Sequence, residues 1–321
     1  MAGRRQKKSG RRSYAWRYRG RIVACVFVEV IIICALVIMI GWNKGVKEWF
    51  EQFEQPVLKE VDISGINSPN AILMQARGGK ILGEINGEAQ IYPASMTKIM
   101  TVILGIENFD DLDEKITLTN EMFTGLYEQD ATQAGFQPGE EVRVIDLLYG
   151  AMLPSGAECC IALADTISGS EADFAELMNK KARKLGMENT HFCDSTGLHN
   201  PDHYSTVKDI AVLMKYCIKN DTFREIVETS RHSTGVTNIH PDGITYYSTM
   251  FKNLSDPTVT GGKILGGKTG YTSEAGHCLV SFAEIEGREY IFVSAGASGA
   301  DGNTIPHIQD AVTVYNRVGA A

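Results

Sequence analysis

Apolar and polar positions follow two different periods along this chain, and each period predicts one kind of element. Short apolar runs on either side of a glycine pair predict a β-hairpin over residues 72–75 and 81–84. Apolar residues that recur every three or four positions predict helices at about 144–152, 158–168, 171–186 and 207–219. Strand-like runs then predict an antiparallel meander over 267–272, 277–283 and 290–293, followed by a last helix at about 305–318. This order predicts an α/β (α+β) domain in which a helical lobe is inserted between the strands of one sheet.

One more helix is predicted directly after Ser95, where apolar residues at helical spacing share a single face. These residues are Ile99, Met100, Ile103 and Leu104. Residues 110–145 are polar and contain a turn signal at Gln137-Pro138-Gly139, so they are expected to form loops and short strands.

The first 42 residues predict a membrane anchor. Residues 1–21 contain nine basic side chains and no acidic one, and residues 22–42 form a 21-residue apolar run with Glu29 as its single charge. A run of about 20 apolar residues spans a bilayer, and a basic flank stays in the cytoplasm. A cleavable signal peptide is the less favoured alternative, because its apolar core would be shorter. We therefore expect a single-pass protein of the cell membrane with a cytoplasmic N-terminus and an extracytoplasmic bulk.

Residues 43–58 are interpreted as a juxtamembrane connector. Their apolar residues repeat at helical spacing, which suits either a helix at the lipid interface or a stalk helix packed on the domain that follows. The remaining residues, 59–321, are then the functional domain.

Composition narrows the classes of partner. With 44% hydrophobic residues, 321 residues can bury a large core in one domain or two lobes. The chain carries 39 acidic and 31 basic residues, and nine of the basic ones precede residue 22, so the rest is distinctly acidic. Such a surface disfavours nucleic acid as a partner.

The seven cysteines do not form the pattern of a disulfide framework. Two of them, Cys25 and Cys34, lie in the predicted span, and the other five are expected to be small buried apolar residues. We expect no metal and no other cofactor. The nearest candidate zinc pair, His199 and His203, is separated by Pro201 in a loop-like stretch.

Candidate chemistry begins with Ser95 and Lys98, which are three residues apart and therefore share one face of the predicted helix. An uncharged lysine amine at that spacing can remove the proton of the serine hydroxyl, and a serine without such a base is a poor nucleophile. The chain contains the same spacing a second time, at Ser205 and Lys208. We interpret that second pair as a helix N-cap followed by a helical run.

Two further motifs follow Ser95 in order. One is Leu-Pro-Ser-Gly-Ala at 153–157, which contains Ser155, and the other is Gly-Gly-Lys-Thr-Gly-Tyr-Thr at 266–272. Ser-x-x-Lys, then Ser-x-x, then Lys-Thr-Gly is the signature order of penicillin-binding proteins and serine β-lactamases. Over about residues 56–318 the chain resembles the serine D-alanyl-D-alanine carboxypeptidases of peptidase family S11, which are the low-molecular-weight penicillin-binding proteins.

The resemblance implies a fold, an activity and a site. The fold is that of the β-lactamases and DD-peptidases, an antiparallel sheet flanked by helices with the site at the junction of the two lobes. The activity is removal of the terminal D-alanine from peptidoglycan stem peptides that end in D-Ala-D-Ala, through an acyl-enzyme and with β-lactam antibiotics as inhibitors. The implied catalytic residues are Ser95, Lys98 and Ser155, the substrate-binding residues are Lys268, Thr269 and Gly270, and the oxyanion hole consists of the backbone N–H groups of Ser95 and Tyr271.

Two departures from the family pattern keep alternatives open. The middle motif of the family is Ser-x-Asn, but here Ala157 replaces the asparagine, and residues 296–307 lack an arginine that helps some relatives hold the substrate carboxylate. A missing amide would slow the reaction without removing Ser95 or Lys98. The alternatives are a weakly active or inactive peptidoglycan-binding protein, and a β-lactamase or transpeptidase that uses the same residues.

Overall fold

The computed structural model describes residues 59–254, 256–299 and 305–320. Its ten strands are β1 (Asn70–Gln75), β2 (Ile81–Ile85), β3 (Lys115–Thr117), β4 (Glu141–Arg143), β5 (Arg231–Ser233), β6 (Thr245–Tyr247), β7 (Thr258–Val259), β8 (Gly262–Thr272), β9 (Gly276–Ile285) and β10 (Arg288–Ala297). Its α-helices are α1 (Lys98–Asn108), α2 (Val144–Met152), α3 (Ala157–Ser168), α4 (Glu171–Leu185), α5 (Val207–Cys217), α6 (Asp221–Glu228), α7 (Thr249–Asn253) and α8 (Pro306–Gly319).

Six of these strands form one antiparallel sheet in the order β2-β1-β10-β9-β8-β7. Successive side chains of a strand point to opposite faces, so each strand of this sheet contributes to two apolar layers. Ile72 and Val293 belong to the large core shared with α5 and the other helices. On the opposite face, Phe292 packs edge-to-face on Tyr315 of α8. The sheet is thus covered by helices on both sides.

The helical lobe lies between β2 and β7 in the chain, as the order of elements predicts. Within it α1, α2, α3 and α4 pack on one another through their apolar faces. The first helix buries the predicted residues Ile99, Met100, Ile103 and Leu104. The mixed fold with its antiparallel sheet is confirmed.

Several predicted elements agree with the structure to within a few residues, and others were not predicted. The hairpin, the helices at 144–152 and 158–168, and the meander are confirmed, although β8 begins five residues earlier than expected. The sequence pattern did not predict α6, α7 or the small β5–β6 hairpin. Four of the cysteines, Cys159, Cys160, Cys217 and Cys278, are buried thiols as expected, whereas Cys193 is half-buried.

The predicted cytoplasmic segment, membrane span and connector, residues 1–58, lie outside the described residues. In the part of the chain that the structure describes, no helix combines the length and the apolar character needed to cross a bilayer.

Candidate active site

Ser95 lies in a 3₁₀ turn, Ala94–Thr97, that leads directly into α1. The chain enters this turn through Ala94, which has an uncommon positive φ of 47°. Gly197, itself at a φ of 81°, packs against the turn, and a Cβ added there would lie 1.9 Å from the carbonyl oxygen of Ala94. The position of Ser95 therefore depends on the absence of a side chain at residue 197.

Lys98 is buried at the start of α1, one turn after Ser95. Its Nζ lies 3.2 Å from Oγ of Ser95 and 2.6 Å from the carbonyl oxygen of Thr196. A neutral amine has hydrogens to donate to the carbonyl and a lone pair to accept the proton of the hydroxyl. The arrangement thus places a possible base within reach of Ser95.

The loop that carries Thr196 is fixed by a contact between the carboxylate of Asp194 and the buried imidazole of His203. Oδ1 of Asp194 accepts hydrogen bonds from the backbone N–H groups of Thr196 and Gly197, each at 2.7 Å. Oδ2 of Asp194 lies 3.0 Å from Nδ1 of His203, whose Nε2 is 2.9 Å from Oγ1 of Thr97. Burial alone would raise the pKa of Asp194, but the hydrogen bond and charge of His203 and the other donors lower it to about 2. This network holds the Thr196 carbonyl against Lys98.

Ser155 and Lys268 form the second pair of the site. Ser155 lies in the turn between α2 and α3 with a φ of 73°, and Lys268 is fully buried on β8. Nζ of Lys268 donates to Oγ of Ser155 at 3.0 Å and to the carbonyl oxygen of Thr269 at 2.8 Å. Burial, together with the charge of nearby Lys98, holds the pKa of Lys268 well below its ordinary value.

The end of β8 forms the wall of the site opposite α3. Its pairing with β7 ends at Lys263, whereas its pairing with β9 continues to Thr272. One face of this end approaches the Ser95 turn so closely that a Cβ on Gly270 would lie 3.0 Å from the backbone nitrogen of Ser95. Beyond Lys263, the edge of β8 that faces away from β9 is paired with no other described strand. An edge of this kind can pair with an extended peptide.

Ala157 and Glu158 show how this chain departs from the Ser-x-Asn pattern. Ala157 is buried at the first position of α3, and its N–H donates to the carbonyl oxygen of Thr132. The carboxylate of Glu158 accepts from the backbone N–H groups of Ala134 and Gly135 at 2.6 and 2.9 Å, and burial raises its pKa. Glu158 therefore holds the 132–135 loop and does not replace an amide in the cleft.

These elements enclose a cleft of about 710 Å³. Five of the predicted site residues line it: Ser95, Ser155, Thr269, Gly270 and Tyr271. The remaining two, Lys98 and Lys268, are buried and contact the two serines. The structure thus brings all seven predicted residues together, from three separate parts of the chain.

Sequence reasoning did not find the Asp194–His203 pair or the role of Glu158. Both act through contacts between segments that are distant in the sequence, and no local residue spacing indicates these contacts. Two histidines of the cleft wall, His277 and His307, were also missed. Among the described residues, no group of three or more His, Cys, Asp and Glu side chains could hold a metal ion.

The second Ser-x-x-Lys lies outside the cleft. Oγ of Ser205 is 2.8 Å from Oγ1 of Thr190, and Nζ of Lys208 contacts the exposed carboxylate of Glu88. The expectation that Ser205 caps α5 was wrong by one residue, because Thr206 is the N-cap and its side chain accepts from Asp209 N–H.

Comparisons with known proteins identify the family of this chain. A family model described as D-alanyl-D-alanine carboxypeptidase, peptidase family S11, matches residues 57–299. The chain is 35% identical over 233 residues to D-alanyl-D-alanine carboxypeptidase DacF of Bacillus subtilis, covering 71% of this chain and 57% of DacF. It is 33% identical to DacC of Escherichia coli over 262 residues, or 74% of this chain and 58% of DacC. The chain thus spans less than two thirds of the length of these relatives.

Solved structures show the same fold. The crystal structure of the Streptomyces K15 DD-transpeptidase superposes with a TM-score of 0.71 at 29% identity, covering 81% of this chain and all of that one. A D-alanyl-D-alanine carboxypeptidase from Mycobacterium tuberculosis gives a TM-score of 0.72 over 82% of this chain and 94% of its own, at 22% identity.

Proposed function

The chain belongs to the D-alanyl-D-alanine carboxypeptidase family, peptidase family S11, and from that premise we propose that it is a serine DD-carboxypeptidase. Its substrate is a peptidoglycan stem peptide ending in D-Ala-D-Ala, from which it removes the last residue. The observation that carries the proposal is the 3.2 Å contact between Nζ of Lys98 and Oγ of Ser95 at the floor of a peptide-sized cleft.

Acylation begins at Ser95. The amine of Lys98 takes the hydroxyl proton while Oγ attacks the carbonyl carbon of the penultimate D-alanine. The oxyanion that forms would be held by the backbone N–H groups of Ser95 and Tyr271, and donors of this kind contribute about 3–4 kcal/mol each. The approach of β8 at Gly270 is what brings those two backbone segments together.

Release of D-alanine requires a proton on the leaving amine. Ser155 is hydrogen-bonded to Lys268 and lines the same cleft as Ser95, so it is the group we assign to that transfer. The C–N bond breaks as the proton arrives, and free D-alanine departs. The proton that Lys98 took from Ser95 passes to Ser155 and replaces the one given to the amine. Water then attacks the ester while Lys98 takes a proton from the water and returns it to Oγ of Ser95, which releases the shortened peptide.

Thr269 and Lys268 are the β8 residues that we assign to binding of the stem peptide. Oγ1 of Thr269 lies 2.6 Å from Oγ1 of Thr249, which orients the hydroxyl at the cleft wall. A free edge of β8 would pair with the extended stem peptide.

We also assign this activity to the outer side of the cell membrane. Nine basic residues before residue 22 and the apolar run 22–42 support a single-pass anchor with a cytoplasmic N-terminus. Stem peptides lie outside the membrane, so this topology presents the domain to its substrate.

Covalent labelling tests the nucleophile. Incubation with a fluorescent penicillin should label the wild type, and mass spectrometry should place the adduct on Ser95. Ser95→Ala should take no label, whereas Ser273→Ala, which alters another serine of the cleft wall, should be labelled like the wild type. An adduct elsewhere, or none, contradicts the proposed nucleophile.

The activity itself is tested with a peptide ending in D-Ala-D-Ala, assayed for released D-alanine. Ala157 favours a second function, a peptidoglycan-binding protein with little turnover, because it removes an amide from the site. That protein would bind the peptide without releasing D-alanine. A β-lactamase or transpeptidase would instead release hydrolysed penicillin or pass the acyl group to an added amine.

A further inference from the structure

The cleft lacks a permanent cation in its wall. Among the described residues that line it, Asp130 and Glu274 are acidic, and the groups able to become positive are three histidines: His199, His277 and His307. Lys268 does not line the cleft, and its Nζ is already bonded to Ser155 and Thr269. A substrate that ends in a carboxylate needs N–H donors, preferably charged ones. The histidines are therefore the candidates.

Two of these histidines meet at one end of the cleft. His277 is the cross-strand neighbour of Tyr271, and their rings lie 4.7 Å apart. His307, in the first turn of α8, stacks on His277 with ring centroids 5.0 Å apart and planes 9° from parallel. The imidazoles of two separate elements thus form one surface beside the Lys-Thr-Gly strand.

The inner imidazole of this pair is not satisfied by the protein. His307 is buried, and its Nδ1 has no hydrogen-bond partner among the described residues. Buried polar atoms are nearly always bonded, so this unpaired nitrogen, in a residue of the cleft wall, is a group that the protein itself does not satisfy. Unlike this pair, His199 faces the carboxylate of Glu274 at 3.9 Å and is already provided with a partner.

We propose that His277 and His307 form the recognition site for the terminal carboxylate of the D-alanine that leaves, and that this site takes up one proton from solvent when the carboxylate binds. The proposal rests on the carboxypeptidase function and adds the residues that bind the C-terminal carboxylate of its substrate. A carboxylate beside an imidazole favours imidazolium, which then donates a charge-assisted hydrogen bond.

The charges around the pair determine how recognition depends on pH. Burial and the charge of His277 lower the pKa of His307 to about 4, and burial lowers the pKa of His277. Asp310, one turn along α8, acts in the opposite direction, but its carboxylate is bonded to Asn67 and Ser68. From β8 the pair is faced by the neutral ring of Tyr271.

The sign of the pH effect follows from these neighbours. In the empty cleft the pair is neutral at neutral pH, and a bound carboxylate raises the pKa of the imidazole that contacts it. Between the free and bound values, binding takes up a proton, so affinity for the carboxylate falls as pH rises.

Two matched acyl donors isolate this effect from the chemistry at Ser95. Both are thioesters of the same N-acyl-D-alanine, one with a thioglycolate leaving group that ends in a carboxylate and one with the corresponding carboxamide. Lys98 and Ser95 act equally on both, so the ratio of their kcat/KM values reports recognition of the carboxylate alone. In the full-length wild type this ratio should exceed about tenfold at pH 6 and decline towards pH 8.

Substitution of either histidine should remove that preference. His307→Phe keeps an aromatic ring in the stack, and it should bring the ratio close to one at every pH while the carboxamide donor is still turned over. His277→Phe should do the same. His199→Gln, the matched control in the same cleft, should leave both the ratio and its pH dependence unchanged.

A further measurement uses no histidine variant, so misfolding of such a variant cannot explain its result. Ser95→Ala binds a D-Ala-D-Ala peptide without cleaving it, and titration calorimetry in buffers of different ionisation enthalpy should show uptake of protons at pH 6. No uptake, or a pH-dependent ratio in His307→Phe equal to that of the wild type, overturns the proposal. A wild type that turns over neither donor contradicts the carboxypeptidase function instead, so the two failures are distinguishable.

Discussion

At the scale of single residues, folding changes the protonation of Lys268. In the unfolded chain it titrates near its ordinary pKa of 10.5, whereas burial and Lys98 lower that pKa in the folded protein. The unfolded state therefore binds more protons between the two values, and stability rises with pH through that window. The same depressed pKa makes the neutral form of Lys268 easier to reach than that of an exposed lysine.

Replacing this lysine should change the pH dependence of stability. For Lys268→Met, the free energy of unfolding of the wild type minus that of the variant should increase from pH 7 to pH 10, measured by urea unfolding. Lys263→Met is the matched control, because that exposed lysine lies on the same strand. A constant difference across this range would show that Lys268 keeps its ordinary pKa in the folded protein.

Asp194 also makes stability rise with pH, but in the acid range. Its pKa is about 2 in the folded protein against an ordinary 3.8, which corresponds to about 2 kcal/mol of stability. Above pH 4 the wild type should exceed Asp194→Asn by roughly this amount, and the advantage should disappear as pH falls towards 2.

The kinetic constants of Asp194→Asn should show that Asp194 has more than a structural role. Its loop presents the Thr196 carbonyl to Lys98 and not to the peptide, so Asp194→Asn should lower kcat more than it raises KM. Asp202→Asn, an exposed neighbour in the same loop, should affect neither stability nor kcat. A change confined to KM would place Asp194 in substrate binding instead.

At the scale of elements, the active site is held by close contacts between backbone segments. The contact between Gly197 and Ala94 belongs to two loops that the helical lobe brings together. Gly197→Ala should therefore displace the Ser95 turn and slow penicillin acylation by about a hundredfold, the size of effect that misplacement of a reacting group by an ångström can have.

A second glycine at a similar φ serves as a control, because its substitution would strain the backbone without causing a clash. Gly186 ends α4 with nearly the same φ, 79°, but no atom lies within 4 Å of the Cβ that alanine would add. Both substitutions strain a left-handed residue by about 1 kcal/mol, so Gly186→Ala should lower stability while acylation remains normal. Equal acylation rates in the two variants would show that the contact with Ala94 does not position Ser95.

The length of a helix or strand decided whether the sequence could predict it. Helices such as α2 and α3 were found because their apolar faces repeat over nine or more residues. In contrast, α6 begins only four residues after α5 ends, and β5 and β6 contain three residues each. Periods are not readable over such short stretches, so tertiary packing decides these elements.

The site likewise contains residues that the sequence could predict and residues that it could not. Ser95 and Lys98 lie one turn apart, so their contact follows from local helical geometry, and the order of the later motifs indicated Ser155 and Lys268. The contacts of Asp194 with His203, and of His277 with His307, join separate elements. Which residues contact Asp194 and His277 depends on the tertiary packing of β9, α8 and the loops. A single sequence does not reveal that packing.

At the scale of the molecule, the two ends of the described domain are joined through Asp310. Its carboxylate, buried on α8, accepts four hydrogen bonds from Asn67 and Ser68, at distances of 2.6–2.9 Å. This contact ties the segment before β1 to the helix that covers one face of the sheet. It also anchors the turn of α8 that carries His307.

Loss of this carboxylate should therefore destabilise the whole domain without removing its chemistry. Asp310→Ala leaves buried donors unpaired, which should cost about 3 kcal/mol and lower Tm by roughly 6–12 °C in a domain of this size. Asp256→Ala, which removes an exposed carboxylate from a local turn, should lower Tm by no more than about 2 °C. Below its midpoint Asp310→Ala should still be acylated by the carboxamide thioester, because Ser95 and Lys98 lie on α1 and its leading turn, away from α8. If acylation were lost together with the anchor while calorimetry showed a folded domain, the helix covering the sheet would be a part of the catalytic framework and not only its support.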